Sequence, residues 1–310
     1  MSERVSAITP LAEELARRRF EEHRGWPRFR RATVDFIRRR PLGAIGAALI
    51  VVMILAAAFA DVIGPYDPEQ ASFADLLLPP SPIHLVGTDP FGRDVFTRLL
   101  FGARTALLVG FGASLSGSTL GLVLGVVGAY FGGRVDQTIQ RLMDVLISFP
   151  LIVLAIAVVA ALGGGEGKIS NVIIAITIPI IPRVARVVRA SALAVVAMPY
   201  IEAARSVGTG ATRIMFRHIV PNVFAPFLIM VTAFLGQAIL LEASLSFLGL
   251  GVNEPTPAWG LMLRGAGMQF LERAPWLAIA PGVAISLAVF GFNLFGDSLR
   301  DALDPRLRTA

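Results

Sequence analysis

The sequence predicts an all-α integral membrane protein with six transmembrane helices, on three observations. Hydrophobic residues make up 55% of the 310-residue chain, more than a soluble domain usually carries. A bilayer core of ~30 Å takes ~20 apolar residues in helical form. Six runs of about that length occur, at residues 42–63, 105–131, 142–162, 169–188, 223–248 and 276–294. None alternates apolar and polar residues, so the pattern of a membrane β-barrel is missing.

The charges orient these spans. The formal net charge is +6, but the basic residues gather at the ends of alternate spans, as the positive-inside rule predicts. Residues 1–41 hold 11 arginines against six acids. Between spans four and five lie Arg183, Arg186, Arg189, Arg205, Arg213 and Arg217 against Glu202. Residues 65–100 instead carry Asp67, Glu69, Asp75, Asp89 and Asp94 against Arg93 and Arg98. Both termini are therefore expected in the cytoplasm. The basic excess reads as topology rather than nucleic-acid recognition.

Residues 1–41 form a basic tail, either solvated or lying as an interfacial helix on membrane lipid. Ala58, Phe59 and Ala60 resemble a signal-peptidase site, but a 41-residue leader followed by five spans favours a retained helix. An external segment, residues 65–103, follows, with a turn at Gly87-Thr88-Asp89-Pro90. The second span carries Gly117, Gly121 and Gly125 at four-residue spacing, which suits close helix packing and leaves a place in the permeation path as the alternative. Residues 163–167 form a glycine-rich external turn. Pro179 and Pro182 are expected to kink or interrupt the fourth span.

Several chemistries are excluded. With no cysteine in the chain, there is no disulfide, thiolate nucleophile or Cys-based metal site. Gly167-Lys168 has Leu162 and Ile169 where a phosphate-binding loop needs its first glycine and a hydroxyl. Neither His84 nor His218 has ligand spacing, so no metal site is expected. Ser244 and Ser246 lack a histidine partner.

The loop at residues 189–221 carries the functional signal. Glu202 sits early in a short helix, where a carboxylate complements the dipole. Ala203 and Ala204 favour helix without bulk, so a partner can approach closely. Gly208, followed by Gly210, ends that helix. A second short helix is expected over residues 212–219, and Pro221 opens the next span. The product is a knob of two short helices on which a separate motor protein can act.

This spacing resembles the EAA coupling motif of ABC-importer permeases: Glu202-Ala203-Ala204, a glycine four residues on, and a proline thirteen beyond it. One departure is His218, where the pattern has isoleucine; Ile219 comes next. Residues 84–104, 141–150, 242–260 and 292–308 are similar to the dipeptide/oligopeptide branch, in its C-type permease subunit. The likeness runs from His84 to Arg308 and leaves residues 1–41 unplaced.

The resemblance implies the type I ABC importer permease fold. Residues 42–298 would form the permease domain and residues 299–310 a cytoplasmic tail. It implies four kinds of partner: a homologous second permease, two ATPase subunits (or a fused pair), an extracytoplasmic substrate-binding protein, and the lipids of a bacterial or archaeal plasma membrane. ATP and magnesium would bind the ATPase subunits; the chain itself would bind no cofactor and catalyse nothing. Glu202, Ala203, Ala204, Gly208 and Pro221 would carry the coupling, with Arg205, Arg213 and Arg217 as contacts to the ATPase surface. Di- or oligopeptides are the implied cargo, with nickel chelates, opines or glutathione as alternatives.

Glu242, Gln237 and Asn293 lie within apolar spans and are candidates for the translocation path; hydrogen bonds between helices are the other reading. A stand-alone ion-coupled carrier is the rival function. It calls for ionisable residues deep in several spans and for internal repeats, and no repeat is visible.

Overall fold

A computed structural model of the chain describes residues 40–163, 168–265 and 269–303. The N-terminal tail, most of the glycine-rich turn at 163–167 and the end of the C-terminal tail lie outside the described residues. Helix α1 (Pro41–Ala58) is followed by a short α2 (Ala60–Ile63). After a segment without helix, residues 64–94, come α3 (Val95–Phe131), α4 (Gly133–Ser148), α5 (Leu151–Ala161) and α6 (Ile169–Val196). Then follow α7 (Pro199–Ser206), α8 (Ala211–Ile214), a π turn (Met215–Ile219), α9 (Val220–Phe247), α10 (Trp259–Leu263) and α11 (Trp276–Leu303). Among the described residues, five helices are long and apolar enough to cross a membrane, and six spans result if α4 and α5 together count as one.

That pair is where the structure departs from six straight spans. The third predicted span breaks at Phe149 and Pro150, and α4 and α5 meet at 97°. Phe149 is extended, with φ −88° and ψ 139°, because the residue before a proline is driven out of the helical region. Alone, α5 has 11 residues and a length of ~16 Å, too short for a ~30 Å core. Counted as one span, the pair is a bent element, half amphipathic and half apolar.

The glycine stripe of α3 is a packing seam against α6. A Cβ on Gly117 would sit 2.8 Å from the Ile180 side chain, and one on Gly121 2.6 Å from Val184. At Gly125 it would meet the Ala185 carbonyl at 2.7 Å. Ile176, Ile180, Val184, Val188 and Ala192 recur every four residues along the buried face of α6. Pro179 and Pro182 lie on that helix, and the expected interruption does not occur: α6 continues through both. Both prolines are buried, held in a helix that the seam supports from outside.

Gly121→Leu is expected to force α3 and α6 apart. Overpacking costs ~1–3 kcal/mol where neighbours adjust and more where backbone blocks them, as the Ile181 carbonyl does at 2.9 Å. Thermal denaturation in detergent should register a marked loss, while Leu120→Ala, at an exposed position one residue away, should be close to silent.

A second core joins α1, α3, α9 and α11 through Met53, Ala106, Ile239, Ile285 and Phe292. Gly46 lets α1 cross α11 closely, its absent Cβ falling 2.7 Å from the Gly291 carbonyl. The two cores share α3 and α9, so these helices join the two clusters.

Candidate functional site

At the end of the bundle where α6 gives way to α9, the chain builds the knob that the sequence predicts, in altered form. Pro199 opens α7, where a missing N–H costs nothing. The helix ends in a Schellman motif: Gly208 N–H donates to the Arg205 carbonyl at 2.9 Å, and Thr209 N–H to the Ala204 carbonyl at 3.0 Å. That closure places Gly208 at φ +78°, the left-handed region that glycine enters freely.

The second short helix is not separate. α8 passes through the π turn directly into α9, because Pro221 cannot donate to the carbonyl four residues back and a wider turn relieves its ring. One residue on, the His218 carbonyl accepts from Asn222 Nδ2 at 2.6 Å. The knob is thus one short helix, a glycine reversal and the leading end of a long helix. A push on α7 and α8 therefore reaches α9 without a hinge between α8 and α9.

Ile201, Ile214 and Ile219 are wholly buried in the core shared with α3, α5, α6 and α9. This anchors α7 underneath and leaves Glu202, Ala203, Arg213, Arg217, Gly208 and Pro221 exposed, with Ala204 half-buried. Arg205, also exposed, turns back so that its guanidinium lies 4.8 Å from the centre of the Tyr130 ring at the end of α3.

Two residues on this surface escaped the sequence reading: Val207 is 80% exposed and Phe216 68%. Val207 could have been found as an apolar residue before the helix-ending glycine. Phe216 could not, because the π turn shifts the helical register that would have shown which way it faces.

Not all of the arginine excess is free. Arg189 pairs with Asp136 and Arg186 with Asp144, tying α6 to α4. α6 also carries Arg189 well inside the helix, so the exposed turn begins later than residue 189.

The opposite end of α9 holds a second structured region. Asp94 caps α3, accepting from Thr97 N–H at 2.7 Å, and its other oxygen lies 3.0 Å from His84 Nδ1. Asp89 accepts from Arg93 Nε at 2.6 Å. Arg93 then reaches across 161 residues of sequence to Glu254, with contacts of 2.6 and 3.2 Å. Arg98, 1% exposed, joins Glu254 at 3.3 Å and the Pro68 carbonyl at 2.8 Å. This clasp ties the segment before α3 to the loop after α9. Nearby, Trp259 Nε1 donates to the Leu99 carbonyl at 3.0 Å.

Burial pushes the Glu254 carboxyl up, but its hydrogen bond to Arg93 and the charges of Arg98 and Arg93 outweigh that and hold it below its ordinary value of 4.5. A carboxylate depressed on folding stabilises above its unfolded pKa and loses that contribution as pH falls through its folded one. The difference in thermal stability between the native chain and Glu254→Gln should therefore be constant above pH 4.5 and shrink on acidification below it.

Of the three candidates for the translocation path, Glu242 is 1% exposed and accepts from Ser246 Oγ at 2.7 Å one turn along α9. The same hydroxyl accepts from Val252 N–H at 3.2 Å. Gln237 is half-buried and Asn293 exposed. The Asn293 oxygen packs over Gly236, where a Cβ would come within 3.1 Å of it. The structure thus places Asn293 at the seam between α9 and α11, beside Gly236, and Glu242 in a local hydrogen-bonded pair.

The sequence model of a family described as a binding-protein-dependent transport system inner membrane component matches residues 117–309. A second, described as the N-terminal TM domain of oligopeptide transport permease C, matches residues 26–80. Residues 26–41, unplaced by the sequence reading, thus lie in a family segment. The dipeptide transport system permease protein DppC of Alkalihalophilus pseudofirmus is 41% identical over 273 residues, 88% of each chain. The glutathione transport system permease protein GsiD of Pectobacterium atrosepticum is 43% identical over 286 residues, 92% of this chain and 91% of its own. Among solved structures, a chain of the inward-facing MetNI methionine ABC transporter superposes with a TM-score of 0.53 at 20% identity, covering 67% of this chain and 96% of that one. At that identity the likeness is one of fold.

Proposed function

The chain belongs to the family of binding-protein-dependent transport system inner membrane components, and from that premise we propose that it is half of the translocation path of a peptide importer. It is a non-catalytic membrane subunit. A homologous permease pairs with it, two ATPase subunits (or a fused pair) sit beneath the two, and an extracytoplasmic binding protein delivers cargo. ATP and magnesium act on the ATPase subunits. Both termini lie on the ATPase side.

The observation that carries this reading is the α7 knob: a helix clamped from below by Ile201, Ile214 and Ile219 and closed at Gly208. It presents Glu202 and Ala203 outward. A groove on an ATPase subunit that grips this surface moves α9 directly, because the π turn joins α8 to it. ATP favours one arrangement only through the different affinities of its bound states for the two conformations.

The names of the relatives support peptide cargo, DppC with dipeptides and GsiD with glutathione, itself a tripeptide. Proteoliposomes holding this chain with its co-purifying partners test the cargo. ATP-dependent uptake of labelled dipeptide is expected to exceed that of glutathione. Glutathione uptake with no dipeptide uptake would move the assignment to that alternative.

A further inference from the structure

A cavity of about 280 Å³ opens beside the Arg93–Glu254 clasp, at the end of α9 remote from the coupling knob. Its apolar wall includes Val95, Leu261, Met262 and Leu277. Its charged lining is unbalanced. Arg93, Arg98 and Arg264 face it with only Asp89 and Glu254 of opposite sign, and both carboxylates are already held by Arg93 or Arg98. The Arg264 side chain has no hydrogen-bonded or ion-paired partner among the described residues.

Arg264 is nevertheless positioned. Gly249, at φ +81°, leaves an empty slot that the guanidinium fills, and a Cβ there would fall 2.3 Å from Arg264 Nη1. A side chain seated by the removal of another, beside an apolar hollow and with one positive charge left over, matches an amphipathic monoanion. A guanidinium binds a carboxylate through two parallel N–H bonds, and the apolar wall takes an adjoining hydrocarbon group.

We propose that this cavity binds the carboxylate of the cargo, with Arg264 as the recognising cation and the wall formed by Leu261, Met262 and Leu277 receiving the terminal side chain. On the peptide-importer reading, on which this inference rests, the group bound is a peptide's C-terminal carboxylate. Specificity then resides partly in the permease, in addition to the binding protein.

The test uses the purified permease–ATPase complex in nanodiscs, without its binding protein, titrated with alanyl-phenylalanine and with the C-terminal amide of the same dipeptide. The acid should bind saturably and at least tenfold more tightly than the amide, about 1.4 kcal/mol. Arg264→Gln should abolish that difference and Arg264→Lys should retain part of it, with thermal midpoints unchanged. Equal binding of acid and amide by the native complex overturns the proposal without any variant, as does a preference that persists in Arg264→Gln. If the complex with its binding protein still imports dipeptides, only the cavity assignment falls. If it imports none, the cargo reading falls too.

Discussion

Gly208→Val is expected to reduce ATP-driven uptake at least tenfold while the chain still inserts and its ATPase partners still hydrolyse ATP. Gly208 stands at φ +78° with nothing within 4 Å of a Cβ added to it, so crowding is not the obstacle. The left-handed conformation itself is, at ~1–2 kcal/mol for a residue with a Cβ and more for a β-branched one. The chain escapes that strain by opening the two hydrogen bonds from Gly208 and Thr209 that close α7. The helix end then frays at the surface proposed to meet the ATPase. Ile201, Ile214 and Ile219 keep their places in the core, so the damage is confined to the knob. Gly208→Asn, which tolerates the left-handed region, should retain most of the activity. Parallel uptake and ATPase assays on the three proteins read the result. Full uptake by a stably inserted Gly208→Val protein would contradict the coupling role.

The second large effect is expected at the other end of the molecule. Arg93→Ala removes the one guanidinium that bonds both Asp89 and Glu254. Removing one partner of a buried ion pair costs ~3–5 kcal/mol, because the other charge is left desolvated and unpaired. Asp89 is buried, while Glu254 keeps about half its surface in solvent and still touches Arg98, so the lower end, about 3 kcal/mol, applies. A fall in thermal midpoint of roughly 5–10 °C is expected. Arg93→Lys should fall between, since an ammonium keeps the charge but loses the planar fork. Asp89→Asn combined with Arg93→Ala should restore part of the stability by removing the orphaned charge.

How much of this was readable in advance depended on sequence distance. Helices α1, α3, α6, α9 and α11 were legible because each is a long apolar run whose burial needs no particular partner. The knob was legible because Glu202, Ala203, Ala204, Gly208 and Pro221 lie within twenty residues and each has a local conformational reason. Geometry that depends on register was not. The bend at Phe149 and Pro150 was written in the proline, but apolar residues on both sides masked it as one span. The π turn after Ile214 merged two expected elements into one and left Phe216 facing outward.

Long-range pairing was hidden altogether. Arg186 and Arg189 counted as free cytoplasmic charge until Asp144 and Asp136 were found beside them. Arg93 and Glu254 are partners only once the fold brings the segments before α3 and after α9 together. For the same reason Arg264 gave no signal. Its position depends on Gly249, fifteen residues earlier in the chain, and its cavity on residues from α3, α10 and α11.

The central claim is that α7 is gripped by a separate ATPase, and the absence of cysteine from the chain makes that directly measurable. Ala203→Cys creates a single thiol on the exposed face of α7. A photoactivatable maleimide placed there in native membranes should crosslink to an ATPase subunit, in a yield that changes when ATP is added. An intact, inserted protein that crosslinks only to lipid, while Val207→Cys on the same surface does likewise, would contradict the account.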